Sequence, residues 1–285
     1  MATTSLSRHP LRQRSLLRRH PLLQETSALT RRLLLQLKRR PSSLIVGLLQ
    51  PLIWLVLFGS LFTNSRVSDL PVGMSYGQFL SAGLIVFTSF NGALNAGLPV
   101  MFDREFGFLN RMLVAPLKTR HSIVAASIIE ITAVSMLQSL TILLCSAFMG
   151  YGFPSSAGMP VLAITLLLIS TAVTALSLGL AFTLPGHVEL LAVTLLINLP
   201  LLFTSTALAP LGSMPAWLRW VASLNPLSWA IEPIRSSYSE HFSWHTQVLI
   251  TPFGNISNSG CLLLLTLFST ACLMAIRPLV NRKLS

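Results

Sequence analysis

Few side chains in this sequence have the type and spacing to do chemistry, and they are scattered. Gly73-Met74-Ser75-Tyr76-Gly77 has the spacing of the elbow that exposes a serine nucleophile between a strand and a helix. No strand pattern precedes it and no His/Asp pair is arranged for it, so it reads as a loop between two apolar runs. His241 and His245, four apart beside Glu240, could share a helix face and begin a zinc site. They form no His-Glu-x-x-His, and no third ligand is evident. The expectation is therefore no catalytic residue and no metal ligand. Glu130 stands alone within the apolar run 122–149, where an ionisable group is costly and usually faces a bundle interior or a wet cavity. It either lines a substrate route or is a protonated carboxyl bonded to a neighbouring hydroxyl. Asn91, Asn95, Gln138 and Asn198 are amides in similar surroundings. They serve as interhelical hydrogen-bond partners or, for Asn91, Asn95 and Asn198 with Glu130, as a polar lining to a pathway. No Gly-x4-Gly-Lys-Ser/Thr occurs, so the chain has no recognisable ATP-binding loop of its own.

The elements that must carry these residues follow from composition. The 285 residues are 52% hydrophobic and 10% charged, against about 25% charged in an ordinary soluble domain. Such a chain cannot cover itself with polar groups in water and is an integral membrane protein. Cys145, Cys261 and Cys272 all fall inside apolar runs, as small buried hydrophobes rather than a disulfide framework. The fold class predicted is all-α, with six transmembrane helices at about 42–62, 77–100, 122–149, 160–184, 188–208 and 256–276, each near the ~20 residues needed to cross a bilayer. Residues 1–41 form a separate basic segment. Within it Leu22, Leu29, Leu33 and Leu37 share a helix face with Arg31, Arg32 and Lys38 off it, the pattern of a helix lying on an anionic lipid surface. The first twenty residues also have the composition of a transit peptide, with no apolar core for a secretory signal.

Charge orients the spans. The net charge of +12 would suit a nucleic-acid binder if it formed one face, but ten of the twenty Lys and Arg precede Pro41. With the N-terminus in the cytoplasm, seventeen of the twenty fall on that side, and only Arg66, Arg219 and Arg235 on the other. That is the positive-inside pattern, with both termini cytoplasmic and no nucleic-acid partner.

The longest charged interruption is Phe102–Arg120. Phe102, Phe106, Leu109 and Leu113 recur at helical spacing and predict an amphipathic helix over about 102–114. Asp103 is read as its N-cap, and Pro116 as its stop. Gly107 would lie mid-helix, where close approach of another backbone would explain a residue costing about 1 kcal/mol against Ala. Asp103, Arg104 and Arg111 would each cost about 2.5–3.5 kcal/mol at a bilayer centre, so this helix lies beside the membrane. On the other side, 209–255 is too long for a turn and too apolar for a free loop. Trp217, Trp220, Trp229 and Trp244 suit an interfacial aromatic belt, and short helices dipping into the leaflet satisfy their own backbone groups.

Three features recur together: six spans, Asp103-Arg104-Glu105-x-Gly107-x-Leu109 followed by Ala115-Pro116-Leu117-x-x-Arg120, and Asn225-Pro226-Leu227-Ser228-Trp229 followed by Glu232-Pro233-Ile234-Arg235. From Leu22 to the C-terminus the chain resembles the permease subunit of type-2 ABC exporters, the daunorubicin-resistance and polysaccharide-export group. The resemblance implies an interfacial helix over Leu22–Arg40, a coupling helix centred on Asp103 to Leu113, and re-entrant helices within Ala209–Arg235. Its ATPase-coupling residues would be Asp103, Arg104, Glu105, Gly107, Leu109, Arg111 and Pro116. It further implies a separate ABC ATP-binding subunit carrying ATP and Mg, and a second permease copy, identical or sister. The setting would be a bacterial plasma membrane, with contacts to membrane lipids and no cofactor on this chain. The basic extension 1–21 is not part of the family pattern. The competing reading is an intramembrane enzyme of lipid or peptide processing, built on Glu130 and the histidines.

Overall fold

The computed structural model describes residues 21–39, 41–62, 70, 74–107, 121–239 and 242–283. Ten α-helices occur among them: α1 (Pro21–Arg39), α2 (Pro41–Leu61), α3 (Tyr76–Leu94), α4 (Gly97–Glu105), α5 (His121–Phe148), α6 (Gly158–Thr183), α7 (His187–Phe203), α8 (Ala216–Leu224), α9 (Pro226–Ser236) and α10 (Asn258–Lys283). A hairpin of β1 (Gln247–Thr251) and β2 (Gly254–Ser257) precedes α10. Five stretches, in α2, α3–α4, α5, α6 and α10, are long and apolar enough to cross a membrane. The expected fifth span is helical only over the 17 residues of α7. At 1.5 Å per residue that is about 25 Å, short of a hydrocarbon core of about 30 Å.

The bundle is organised around α3, nearly all of whose residues are buried. It packs against α2, α5, α6 and α9. Its start is local chemistry: Ser75 Oγ accepts from Gln78 N at 3.3 Å, and Gln78 Oε1 accepts from Ser75 N at 3.0 Å. This reciprocal capping box is what Ser75 does, so the Gly-x-Ser-x-Gly spacing marks a helix start. Phe79 and Phe87 are fully buried, and Trp54 of α2 stacks on Phe87 with centroids 5.8 Å apart. Small residues bring backbones together. A Cβ at Gly83 would lie 2.6 Å from the Ala207 carbonyl oxygen, so the chain after α7 folds directly onto α3.

Beyond α7 the chain turns back without crossing. Asn225 fixes this return: its Oδ1 caps α9 at Leu227 N (2.9 Å), while Nδ2 donates to Leu201 O (2.7 Å) and Thr204 Oγ1 (3.1 Å). Pro226 occupies the first helical position, where a missing N–H costs nothing. The short helices expected in 209–255 are thus α8 and α9, but the hairpin after them was not expected. Ile256 and Ser257, assigned to the last span, belong to β2, and α10 starts at Asn258.

The two ends of the bundle differ in charge. Arg32 of α1 meets Asp103 of α4, and Leu279 of α10 approaches Gly179 near the end of α6. Arg31, Arg32, Lys38, Arg39, Arg104 and Arg277 therefore gather at the α1 end, whereas Arg219 and Arg235 lie at the hairpin end.

Candidate functional site

The apolar stretch that forms α3 and α4 is broken between Leu94 and Gly97. Ser177 of α6 bridges the break: its hydroxyl donates to Leu94 O at 2.6 Å and accepts from Gly97 N at 2.9 Å. One buried side chain thus satisfies a carbonyl and an amide that the interrupted helix leaves unpaired. Gly97 is required here, because a Cβ would stand 2.5 Å from the Ser177 carbonyl oxygen.

After the break α4 carries three consecutive charges, each bonded to a different part of the chain. Asp103 Oδ2 accepts from Arg32 Nη2 at 3.1 Å, tying α4 to α1. Arg104 donates from Nη1 to Ala181 O at 2.8 Å and from Nη2 to Pro185 O at 2.7 Å and to Leu184 O. Glu105 Oε1 accepts from His187 N at 2.6 Å, and its Oε2 lies 2.6 Å from His187 Nδ1. Arg104 therefore closes the C-terminus of α6 and Glu105 the N-terminus of α7. Both signs match the helix dipoles. The result is a charged junction joining α1, α4, α6 and α7.

This geometry corrects the expected coupling helix. The helix ends at Glu105, so Asp103 sits in its last turn and is no N-cap. Gly107 is not inside a helix. Its φ is +70° with nothing within 4 Å of a would-be Cβ, so glycine answers a left-handed backbone after a helix end, not close packing. Arg104 points into this chain's own α6–α7 turn, away from the face assigned to the partner. Phe102 and Phe106 do stack, 6.1 Å apart, but Phe106 is 79% exposed and is not buried against the membrane domain. Leu109, Arg111, Leu113 and Pro116 lie outside the described residues, as does His241.

Three of the four pathway candidates come together. Asn198 Nδ2 on α7 donates to Asn91 Oδ1 on α3 at 3.1 Å, and Asn95 Nδ2 reaches Asn91 O at 2.8 Å and Asn91 Oδ1 at 3.3 Å. Asn198 Oδ1 is buried without a partner among the described residues. Glu130 is elsewhere: it borders a crevice between α1, α4 and α5 with Leu29, Arg32, Asp103 and Ser127. The sequence reading missed a third polar place, at the hairpin end. There Arg235 is 97% buried and pairs with Glu232 one turn earlier, its guanidinium 3.5 Å above the Phe79 ring. The available signal was an acid and a base three apart in an apolar segment, on the side that positive charge avoids.

These elements make a multi-pass helical membrane protein with a returning helix pair and a charged junction at one end. The ABC-2 type transporter family matches residues 24–238, and the chain belongs to that family. Its relatives named as transport permease ycf38 agree over nearly their whole length. That of Porphyra purpurea is 54% identical, over 84% of this chain and 82% of its own. Those of Pyropia yezoensis and Cyanophora paradoxa are 48% and 47% identical, over 93% and 86% of this chain and 92% and 85% of theirs.

Proposed function

We propose that the chain is the membrane subunit of an ATP-driven ABC exporter, with ATP and Mg²⁺ handled by a separate ATP-binding subunit. A second permease copy, identical or sister, completes the translocation path for a lipid, a glycan or an amphipathic, drug-like compound. The observation that carries this reading is the junction at Asp103, Arg104 and Glu105, placed just before segment 108–120. A load applied there reaches α1 through Arg32 and the α6–α7 turn through Arg104 and Glu105. In this reading Leu109, Arg111 and Pro116 belong to the docking segment, while Asp103–Glu105 pass the movement on. Gly107, with its left-handed backbone, stands between the two in sequence. Asn91, Asn95 and Asn198 form a polar step in the α3–α7 seam of the pathway, and Glu130 serves the seam with α1.

In this reading the setting is a bacterial plasma membrane. Both termini and segment 108–120 then face the ATPase compartment. The test is co-purification of the tagged permease with an ABC ATPase from its own cell, followed by reconstitution. A stable complex whose ATP hydrolysis drives solute across the vesicle is the expected result. Arg104→Gln should keep the complex and lower transport per ATP. Failure of any ABC ATPase to bind, with no ATP-dependent movement, overturns the proposal.

A further inference from the structure

The hairpin end holds a pocket of about 390 Å³ between α3, the loop after α7, α9 and β1. Its walls are apolar, from Phe79, Pro210 and Leu249, and its polar groups are Arg219, Glu232 and Arg235. Arg235 is held from three directions. Nη1 bonds to Glu232, Nη2 donates to Thr206 O at 2.7 Å, and the ring of Phe79 lies beneath the guanidinium. Arg219 donates from Nη2 to Gly212 O and Met214 O, both at 3.2 Å, and no carboxylate among the described residues pairs with it. The Nε atoms of both arginines are buried without a hydrogen-bond partner among the described residues. Two arginines against one carboxylate leave the pocket one positive charge in excess. A net positive charge beside an open, otherwise apolar cavity is costly to leave unpaired, and it points to an anion that arrives from outside.

We propose that this pocket binds the anionic head, a phosphate or carboxylate, of an amphiphile whose tails lie against the surrounding lipid. Arg219 supplies the uncompensated charge, and Arg235, fixed by Glu232 and Phe79, supplies a pre-set donor. Guanidinium suits this task because its planar fork matches an oxyanion. The Glu232 carboxylate also lines the pocket but is engaged by Arg235, so it restrains the arginine rather than filling the anion's place. At the same end of the bundle the exposed rings of Trp220, next to Arg219, and Phe253, in the hairpin turn, meet edge to face at 4.5 Å, and tryptophan suits the headgroup region of a bilayer. The inference deepens the export reading by naming the chemistry of the transported or regulating molecule.

The test needs no ATPase, so its failure is separate from failure of the exporter reading. The full-length permease in detergent is exposed to a phosphatidate analogue carrying a diazirine near its glycerol, and labelled peptides are mapped. Labelling within 205–251 is expected, competed by phosphatidate but not by diacylglycerol with the same tails. Arg219→Gln should weaken that labelling by about tenfold, the value of one charge-assisted hydrogen bond. Val248→Trp, which fills the pocket from β1 and leaves both arginines in place, should do the same. Arg31→Gln, on the basic surface of α1, should leave it unchanged. Labelling in 205–251 that survives both pocket variants overturns the site. Competition by inorganic phosphate as strong as by phosphatidate overturns the amphiphile as its occupant.

Discussion

At the scale of single residues, Gly107 and the asparagines make the sharpest tests. Gly107 has φ +70°, and an L-residue in the left-handed region costs about 1–2 kcal/mol. Gly107→Ala should therefore destabilise the permease by that amount, although Ala is the better helix former, and Gly107→Asn should cost less because Asn tolerates this backbone. Thermal unfolding of the three proteins in one detergent checks it, and equal midpoints for Gly and Ala would refute the left-handed assignment. The Asn91–Asn198 bond joins α3 to α7. Interhelical polar bonds in membranes average about 0.6 kcal/mol. A double-mutant cycle with Asn91→Ala and Asn198→Ala should return a coupling of that order, and zero coupling would remove the seam. The amide identities were legible because polar groups stand out in apolar runs. Their grouping, with Glu130 left apart on α5, depends on which helix faces meet, and a linear pattern does not carry that.

At the scale of elements, the bounds of α2, α5 and α6 fall close to the expected spans, since composition alone decides where a chain can cross lipid. The failures have identifiable causes. The helix expected over 102–114 followed a true stripe, Phe102 and Phe106, but overlooked that the same helix turn was already running from Gly97 and that a glycine can end a helix as well as interrupt one. The hairpin at 247–257 had a short signal: Val248, Ile250 and Thr251 are β-branched, and Pro252 with Gly254 mark a turn. Trp-rich neighbours drew the reading toward interfacial helices instead. The bridge at Ser177 was invisible in sequence, because a serine in an apolar helix usually bonds to its own backbone. Ser177→Ala removes only the hydroxyl and abandons Leu94 O and Gly97 N, both buried, and should cost about 1–3 kcal/mol for each group left unpaired. Gly97→Ala should be at least as damaging, since its Cβ would strike the Ser177 carbonyl. Unfolding of purified variants measures both, and parental stability in Ser177→Ala would show that the break needs no bridge.

At the scale of the whole molecule, the distribution of basic groups between the two ends makes a topological prediction. In a cysteine-free background, Lys118→Cys should react with an impermeant reagent only from the ATPase side, and Phe253→Cys on the exposed hairpin only from the other. Labelling of Lys118→Cys from the hairpin side would invert the assignment. The bridged break between α3 and α4 also has a mechanical meaning. A continuous helix under load bends along its length, but this one is interrupted at Leu94–Gly97, and a rotation there would carry α4 as an arm beyond it. The arm's nine residues extend about 13 Å, so a swing of about 10° moves the charged tip about 2 Å. Displacements of about 1–2 Å are the size at which packed helix interfaces exchange one arrangement for another. Such a lever would turn a small rotation at Ser177 into a step large enough to repack α1 against α5 while the buried length of α3 stayed still.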